Sequence, residues 1–271
     1  TDYGVALQKK FFGHFLKGED TGWDRQPRVL LHVRHPGERY LLRAENEWPL
    51  ARTKWTRFYL DPRNFSLGPE PPAAAGEASY LALGDGLTFL APPLRAETEI
   101  TGPSAARLFI SSGTGDADLF LVLRVFAPDM REITFHGAVD PHSPIAHGWL
   151  RASHRKLDPR KSLPHRPWHT HDERQPLTPG EVYALDIEIW PTSVVVPAGC
   201  RVGLSVRGRD YRYGGQAASG TKNLPTQFTG VGPYKHENPE DRPADVFGGR
   251  VTLHAGPARA AYVMLPIIPA K

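Results

Sequence analysis

"VYALDIEIW" at residues 182–190 and "CRVGLSVRG" at residues 200–208 decide the fold class of this chain. In both stretches apolar and β-branched side chains recur at every second position, which is the period of a half-buried strand. Pro191, Pro197 and Gly199 lie between the two stretches, and such residues bound strands and form turns. The two stretches therefore predict two β-strands separated by a turn.

The same pattern recurs along most of the chain, while residues 67–78, "LGPEPPAAAGEA", predict a long surface loop. No helical segments alternate with the predicted strands, so a parallel sheet of βαβ units is not expected. The pattern predicts a mainly β fold: a jelly-roll, galactose-binding-like antiparallel β-sandwich preceded by one α-helix. Further strands are predicted at residues 28–34, 56–60, 106–112, 118–126, 131–139, 148–155, 249–256 and 261–268.

The composition agrees with many strands joined by many turns. The 271 residues include 26 glycines and 27 prolines, about a fifth of the chain, well above the average for globular domains. The net charge is +4 and the basic residues are scattered, so no nucleic-acid partner is expected. The single cysteine, Cys200, excludes an internal disulfide and favours a reducing, cytoplasmic location. No apolar run approaches the ~18 residues of a membrane span, so no membrane partner is expected.

One helix is predicted near the start, over residues 3–17, with Gly18 as a left-handed terminator. Its apolar positions fall on one face at helical spacing. They are Leu7, Phe11, Phe12, Phe15 and Leu16. Burying five such side chains contributes roughly 7–15 kcal/mol, and an isolated helix of this length is marginal in water. We therefore expect this face to pack on the sandwich or to be shared between chains in a homo-oligomer.

The sequence contains no strong candidate for a catalytic nucleophile. A strand-to-helix nucleophile elbow needs G-x-S-x-G, and the sequences around Ser104 ("GPSAA") and Ser205 ("GLSVR") both lack the second glycine. Cys200 begins a strand and is interpreted as a buried structural thiol. Asp116 and Asp118 precede a predicted strand, and we expect their carboxylates to accept backbone N–H groups in a turn. The residues themselves therefore predict no catalytic site.

Histidines are concentrated between residues 147 and 171. The "HTH" of residues 169–171 is similar to the start of a cupin metal site, but Glu173 follows too closely and the segment is bounded by prolines. We therefore predict no metal or other cofactor and interpret the histidines as loop-packing residues. They are His147, His154, His165, His169 and His171.

Aromatic residues in loops suggest a second kind of site, a platform for a sugar ring. The alternative is that these rings pack against the many prolines of the chain. The aromatic residues are Trp168, Tyr211, Tyr213 and Tyr234. A free-standing carbohydrate-binding or interaction module therefore remains an alternative function.

Several separated segments resemble the CocE/NonD family of serine hydrolases, which includes cocaine-esterase-like acyl esterases and is related to X-Pro dipeptidyl peptidases. The resemblance covers nearly the whole chain, but only the C-terminal half of the family's architecture. The similar segments are "FFGHFLKGEDTGW" (11–23), "ENEWPLARTKWTRFYL" (45–60), "GLTFLAPPLRAETEITGP" (86–103), "DADLFLVLRVFAPD" (116–129), "GWLRASHRKLDP" (148–159), the run from 175 to 211 and "YVMLPIIP" (262–269).

The resemblance implies that residues 1–20 hold the last helix of an α/β-hydrolase domain and that residues 21–271 form its jelly-roll partner. The Ser–His–Asp residues of such an enzyme would then lie outside this chain, and His14 matches a helix position rather than the catalytic histidine. The chain would cover the catalytic domain, in cis or as a separate chain, and help to wall its substrate cleft. Tyr211 and Tyr213, which follow a strand end into a glycine-rich loop, are the candidates for that wall.

Overall fold

The computed structural model describes residues 2–137, 139–220, 222, 225–233 and 235–270. Two α-helices and two 3-10 helices accompany the strands: α1 (Asp2–Lys17), a 3-10 helix (Trp23–Arg25), a second (Ala152–His154) and α2 (Ala244–Phe247). The strands are β1 (Val29–His35), β2 (Arg39–Glu45), β3 (Lys54–Asp61), β4 (Ser66–Gly68), β5 (Gly76–Leu81), β6 (Leu87–Leu90), β7 (Thr98–Ser112), β8 (Asp118–Phe126), β9 (Glu132–Ile133), β10 (Ala146–Arg151), β11 (Tyr183–Val196), β12 (Arg201–Arg207), β13 (Arg250–Ala255) and β14 (Tyr262–Ile268).

The strands form one curled sheet in the order β10-β8-β12-β6-β4-β3-β14-β7-β11-β1-β2. Strand β13 pairs with β5 and β7, and β9 pairs with β8. The predicted mainly β fold with one N-terminal helix is confirmed. Nearly all pairings are antiparallel, but β1–β11 and β4–β6 meet in parallel at one residue pair each, Arg34–Val194 and Ser66–Leu90. These two parallel contacts were not predicted.

The core lies between the two halves of this curled sheet. Strand β8 is buried at eight of its nine positions, and the inward side chains of β11 alternate with exposed or half-buried ones. Each fully buried leucine, isoleucine or phenylalanine contributes about 1.5–3 kcal/mol. The central members include Leu60, Phe89, Leu108, Leu121, Leu185 and Leu204, all at 0% exposure. The period of two in the sequence therefore arises because alternate side chains of each strand face this core and the outer surface.

Two local irregularities shape the region around β10 and β11. An ideal Cβ on Gly148 of β10 would lie 2.3 Å from the carbonyl oxygen of Glu188 in β11, so only a glycine allows this approach. The register of β11 against β7 shifts between Ile189 and Thr192, and the intervening Trp190 is 61% exposed. Because such irregularities bend a strand and re-aim a side chain, Trp190 is directed away from the core.

Several predicted boundaries are wrong. Residues 67–78, predicted as loop, include the end of β4 and the beginning of β5. The half-exposed β5 is stabilised by pairing with β13, which is far away in sequence. Of the predicted strand 131–139, only Glu132–Ile133 pairs as a strand, and Ala138 lies outside the described residues. Strands β2 and β6 were not predicted, and β2 is an edge strand that is mostly exposed on both faces.

The predicted helix is confirmed as α1, and Gly18 has the expected positive φ of 69°. Of the two outcomes predicted for its apolar face, packing on the sandwich is wrong, and sharing between chains stays a prediction. Phe11 and Phe15 instead contact the ring of Trp23, at centroid distances of 5.1 and 6.3 Å, and the aromatic face stays open. The exposed fractions are 39% for Phe11, 50% for Phe12, 58% for Phe15 and 75% for Leu16. No helix among the described residues is long and apolar enough to cross a bilayer.

Candidate functional site

A cleft of about 580 Å³ lies over the outer faces of β8, β10 and β11. Residues of β10 and β11 form its floor. His154, His169 and His171 line one side, and members of residues 235–242 line the other. A smaller cleft of about 320 Å³ adjoins it beyond residues 235–242 and is lined in part by Tyr211. The larger cleft combines aromatic rings with titratable side chains, which makes it the candidate functional site.

Two tryptophans stand side by side on the floor. The rings of Trp149 and Trp190 meet edge to face, with centroids 4.9 Å apart and planes at 72°. They come from different strands, β10 and β11, which approach closely only because Gly148 has no side chain. The ring of His147 stacks beside Trp149 at 5.4 Å. The floor therefore presents an indole pair on closely packed strands.

Glu188 lines the same cleft as these rings. It is half-buried and shares the outward face of β11 with Trp190, two residues further along the strand. Burial raises the pKa of its carboxyl, and the nearby charge of Arg166 opposes that shift. Within the described part of the chain this carboxylate has no hydrogen bond or ion pair of its own. An incompletely paired carboxylate of this kind is costly to bury.

The five predicted histidines do not form one cluster. His154, His169 and His171 line the cleft, and the Nδ1 atoms of His154 and His171 are 3.2 Å apart. Such a contact requires one ring to donate and the other to accept. His165 instead stacks on Trp55 at 4.1 Å, and His147 Nε2 contacts the carbonyl oxygen of Gly230 at 3.1 Å.

His169 differs from the other two cleft histidines in having a buried ring nitrogen, Nε2, without a hydrogen-bond partner among the described residues. Burial is the main cause that lowers the pKa of His169, and the nearby charge of His171 adds to the shift. Among the described residues no group of three histidine, cysteine, aspartate or glutamate side chains is arranged to hold a metal ion.

The opposite side of the cleft is held by ion pairs. Asp118 on β8 accepts hydrogen bonds from Arg151 at 2.8 and 3.0 Å and from Arg242 at 2.9 Å. Arg242 also donates to the carbonyl oxygens of Gly208 and His236, so it ties residues 235–242 to the sandwich. Asp118 was predicted to cap a turn, which is wrong. Asp116 does so, accepting the N–H groups of Ala117 and Ser153 at 2.9 Å each.

A second pair, Asp210 and His236, closes the same side. The backbone N–H of His236 donates to Asp210 Oδ2 at 2.6 Å, and its Nδ1 lies 3.1 Å from Oδ1. The hydrogen bond to Asp210 is the main cause that raises the pKa of His236. For Asp210, burial raises the pKa, but the bonds from His236 outweigh it and the net shift is downward.

This pair predicts a pH-dependent attachment of residues 235–242. Because the folded pKa of His236 is raised, its contribution is fully present below the unfolded value and is lost as pH rises through the folded value. Because the folded pKa of Asp210 is lowered, its contribution is lost only as pH falls through that lower value. We expect an NMR titration of the His236 ring to give a pKa above that of an unfolded histidine.

The matched control for this titration is the Asp210→Asn variant. It should return the pKa of His236 toward the unfolded value, because the hydrogen bond to Asp210 is the main cause of the upward shift. A His236 pKa that is unchanged by Asp210→Asn would contradict the assignment.

The loop aromatics occupy three different environments. Tyr211 is 2% exposed, and burial is the main cause that raises its pKa. Tyr213 is half-buried and its ring stacks on His142 at 4.2 Å. Trp168 is 44% exposed, with Lys161 over its ring, away from the cleft, and Tyr234 lies outside the described residues. These rings therefore do not form one continuous platform among the described residues.

The family is decided by the extent of one sequence match. Residues 21–264 match the X-Pro dipeptidyl-peptidase C-terminal non-catalytic domain. The chain belongs to this family. The resemblance to the C-terminal portion of CocE/NonD hydrolases, predicted from the separated segments, is thereby confirmed. The alternative of a free-standing carbohydrate-binding module is not favoured.

Named relatives of this chain are esterases. The chain is 28% identical over 245 residues to a putative serine esterase of Mycobacterium bovis, covering 74% of this chain and 35% of that protein. It is 24% identical over 303 aligned positions to the cocaine esterase of Rhodococcus sp., covering 97% of this chain and 46% of that protein. The chain thus spans less than half the length of these relatives.

Solved structures share the fold of this family member. A CocE/NonD family hydrolase from Staphylococcus aureus superposes with a TM-score of 0.82 at 24% identity, covering 99% of this chain and 46% of that one. An α-amino acid ester hydrolase superposes with a TM-score of 0.59 at 16% identity, covering 96% and 44% of the two chains. In each case the likeness is to less than half of a larger protein.

The candidate nucleophiles are consistent with a non-catalytic family member. Ser104 and Ser205 are both fully buried, and Ser205 Oγ contacts Thr88 Oγ1 at 2.8 Å. Neither serine contacts a histidine among the described residues. Cys200 is a buried free thiol, as predicted, and burial raises its pKa. His14 lies on α1, 3.4 Å from Asp24.

Sequence reasoning missed the residues that build the cleft in this family member. Trp149, Glu188 and Trp190 were read only as members of strands. Alternation along "ALDIEIW" places Glu188 and Trp190 on the outward face, so the sequence carried a signal for these two. No local pattern shows that β10 lies against β11, so the meeting of Trp149 with Trp190 had no signal in the sequence.

Proposed function

We propose that this chain is the β-domain of a CocE/NonD-type serine hydrolase that cleaves ester or peptide bonds through an acyl-serine intermediate. The serine, histidine and aspartate of that reaction, and its oxyanion hole, belong to an α/β-hydrolase domain outside residues 1–271. The support is the family membership, together with relatives that are more than twice as long as the matched region.

The observation that carries this proposal is the uncovered aromatic face of α1. Phe12 and Leu16 are 50% and 75% exposed although the helix is otherwise well formed. An apolar face of this size on a protein surface indicates a missing partner. We assign residues 1–20 to the hydrolase domain as its last helix, and residues 21–271 to the β-domain. The hydrolase domain, in cis or as a separate chain, is the cover for this face.

The β-domain is proposed to wall the substrate cleft of that enzyme through the segment that begins at Tyr211. Tyr213 is half-buried, so part of its side chain is accessible to a substrate. Tyr211 is buried and packs beneath the segment. A cytoplasmic location remains a prediction, supported by the single free cysteine.

A fluorophosphonate probe tests the catalytic assignment. We expect it to label the complete natural gene product at a serine outside residues 1–271 and to leave the 271-residue chain unlabelled. Proteolytic mapping of the labelled site identifies the serine. Labelling of Ser104 or Ser205, or a complete gene product that fails to react with the probe, would overturn the proposal.

The aromatic face of α1 makes a separate prediction for the isolated chain. Without its cover, the 271-residue chain should self-associate through α1, as the five predicted apolar positions suggest. The double variant Phe12→Ser, Leu16→Ser should shift the chain toward monomer, since neither side chain is part of the packing on Trp23. Sedimentation velocity measures the change.

Leu81→Ser provides the matched control, because Leu81 is 66% exposed on β5, away from α1. It should leave the association unchanged. If the isolated chain is monomeric at all concentrations, or if Leu81→Ser is as effective as the double variant, α1 is not the associating surface.

A further inference from the structure

The cleft over β10 and β11 contains one half-buried carboxylate that has no ion pair among the described residues. Asp118 is bound by Arg151 and Arg242, and Asp210 is bound by His236. Glu188 is half-buried between the same walls and has no ion pair among the described residues. A carboxylate held in a partly dehydrated site without a cation is incompletely compensated, and a positively charged group would offset that cost.

The surfaces beside Glu188 are the kind that attract a cation. The rings of Trp149 and Trp190 stand 4.9 Å apart, and Trp190 is 61% exposed. The face of an indole attracts ammonium and guanidinium groups more strongly than other aromatic faces do. The two rings come from strands whose backbones approach closely at Gly148. A cleft lined by a carboxylate and two indoles is therefore suited to a positive charge with apolar substituents.

The other charges lining the cleft do not cancel this preference. Arg151 and Arg242 are directed to Asp118, and the wall at residues 235–242 carries Lys235 together with the oppositely charged Asp241. The charge of Arg166 opposes the upward shift in the pKa of Glu188 without forming an ion pair with it. Of the carboxylates that line the cleft, Glu188 is thus the half-buried one without an ion pair among the described residues, and it lines the cleft together with the indole pair.

We propose that this cleft is a binding site for a small organic cation, an alkylammonium compound, held by the Glu188 carboxylate and the indole rings of Trp149 and Trp190. The volume of about 580 Å³ leaves room for the substituents that such a cation carries.

Choline and 3,3-dimethyl-1-butanol test the proposal, since the two probes match in shape and differ in charge. Binding is followed by the indole N–H signals of the 271-residue chain in two-dimensional NMR at constant ionic strength. We expect choline to shift the Trp149 and Trp190 signals saturably and to bind about tenfold more tightly than its neutral analogue. Single Trp→Phe variants assign the two signals.

Two variants and one control locate the site. Glu188→Gln keeps the shape of the side chain and should weaken choline binding about tenfold while leaving the neutral probe unchanged. Trp190→Ala should abolish saturable binding of choline, whereas Trp168→Ala, at an exposed tryptophan outside the cleft, should have no effect. Each variant is first checked for unchanged thermal unfolding.

Equal binding of the two probes would overturn the proposal, as would unchanged choline affinity in Glu188→Gln or the absence of a saturable shift. None of these results bears on the fluorophosphonate experiment, so the cation site and the hydrolase assignment fail or stand separately.

Discussion

Gly148→Ala is expected to lower the free energy of unfolding of this domain by about 3 kcal/mol, at the upper end for inserting one methyl group into a packed interior. The added Cβ would lie 2.3 Å from the carbonyl oxygen of Glu188 and 3.1 Å from the Cα of Ile189. Both are backbone atoms, so no side chain can rotate away. Relief requires β10 to separate from β11, which disturbs the ladders that hold β10 to β8 and β11 to β7.

Urea unfolding followed by tryptophan fluorescence measures this change. Gly214→Ala is the matched control, because Gly214 has no atom within 4 Å of its ideal Cβ and no positive φ. It should change the free energy of unfolding by less than about 1 kcal/mol. If Gly148→Ala is as mild as the control, the close contact of β10 and β11 does not exist in solution.

Asp118→Asn is expected to cost about 3 kcal/mol of unfolding free energy. The carboxylate is 9% exposed and accepts hydrogen bonds from both Arg151 and Arg242. Removing one partner of a buried ion pair typically costs about 3–5 kcal/mol, because the remaining charge is left uncompensated. Here two guanidinium groups lose their shared partner, so residues 235–242 should also loosen along with the global destabilisation.

Hydrogen exchange at residues 235–242 measures the local effect, and denaturant unfolding measures the global one. Lys156→Ala provides the control, since Lys156 and Asp172 form an exposed pair at 3.1 Å. Its loss should cost less than about 1 kcal/mol. A cost for Asp118→Asn no larger than for Lys156→Ala would show that the Asp118 pairs are not buried as described.

The sequence predicted the elements whose stability is local or strongly patterned. Strand β8 was predicted over residues 118–126 and forms over Asp118–Phe126, because a short apolar run interrupted only by Arg124 and bounded by Asp and Pro is typical of a buried strand. Helix α1 and its glycine terminator followed from spacing and from the special conformation of Gly18. These features need no knowledge of a distant partner.

Elements that depend on distant partners were predicted poorly. Strand β5 begins inside a segment rich in proline and alanine, and it is ordered by pairing with β13. The histidines of residues 147–171 are concentrated in the sequence but not in space. His147 contacts the carbonyl oxygen of Gly230, and His165 stacks on Trp55. Backbone pairing and ring stacking over long sequence separations decided both outcomes.

By itself the sequence determined that this chain is mainly β with one amphipathic helix, and that it resembles the non-catalytic portion of a serine hydrolase family. Those conclusions rest on periodicity and on ordered motifs, which are properties of neighbouring residues. Only the tertiary structure decided that Trp149, Glu188 and Trp190 share one cleft. The physical reason is that a curled sheet brings β10 onto β11 at Gly148, where the missing side chain lets two backbones touch.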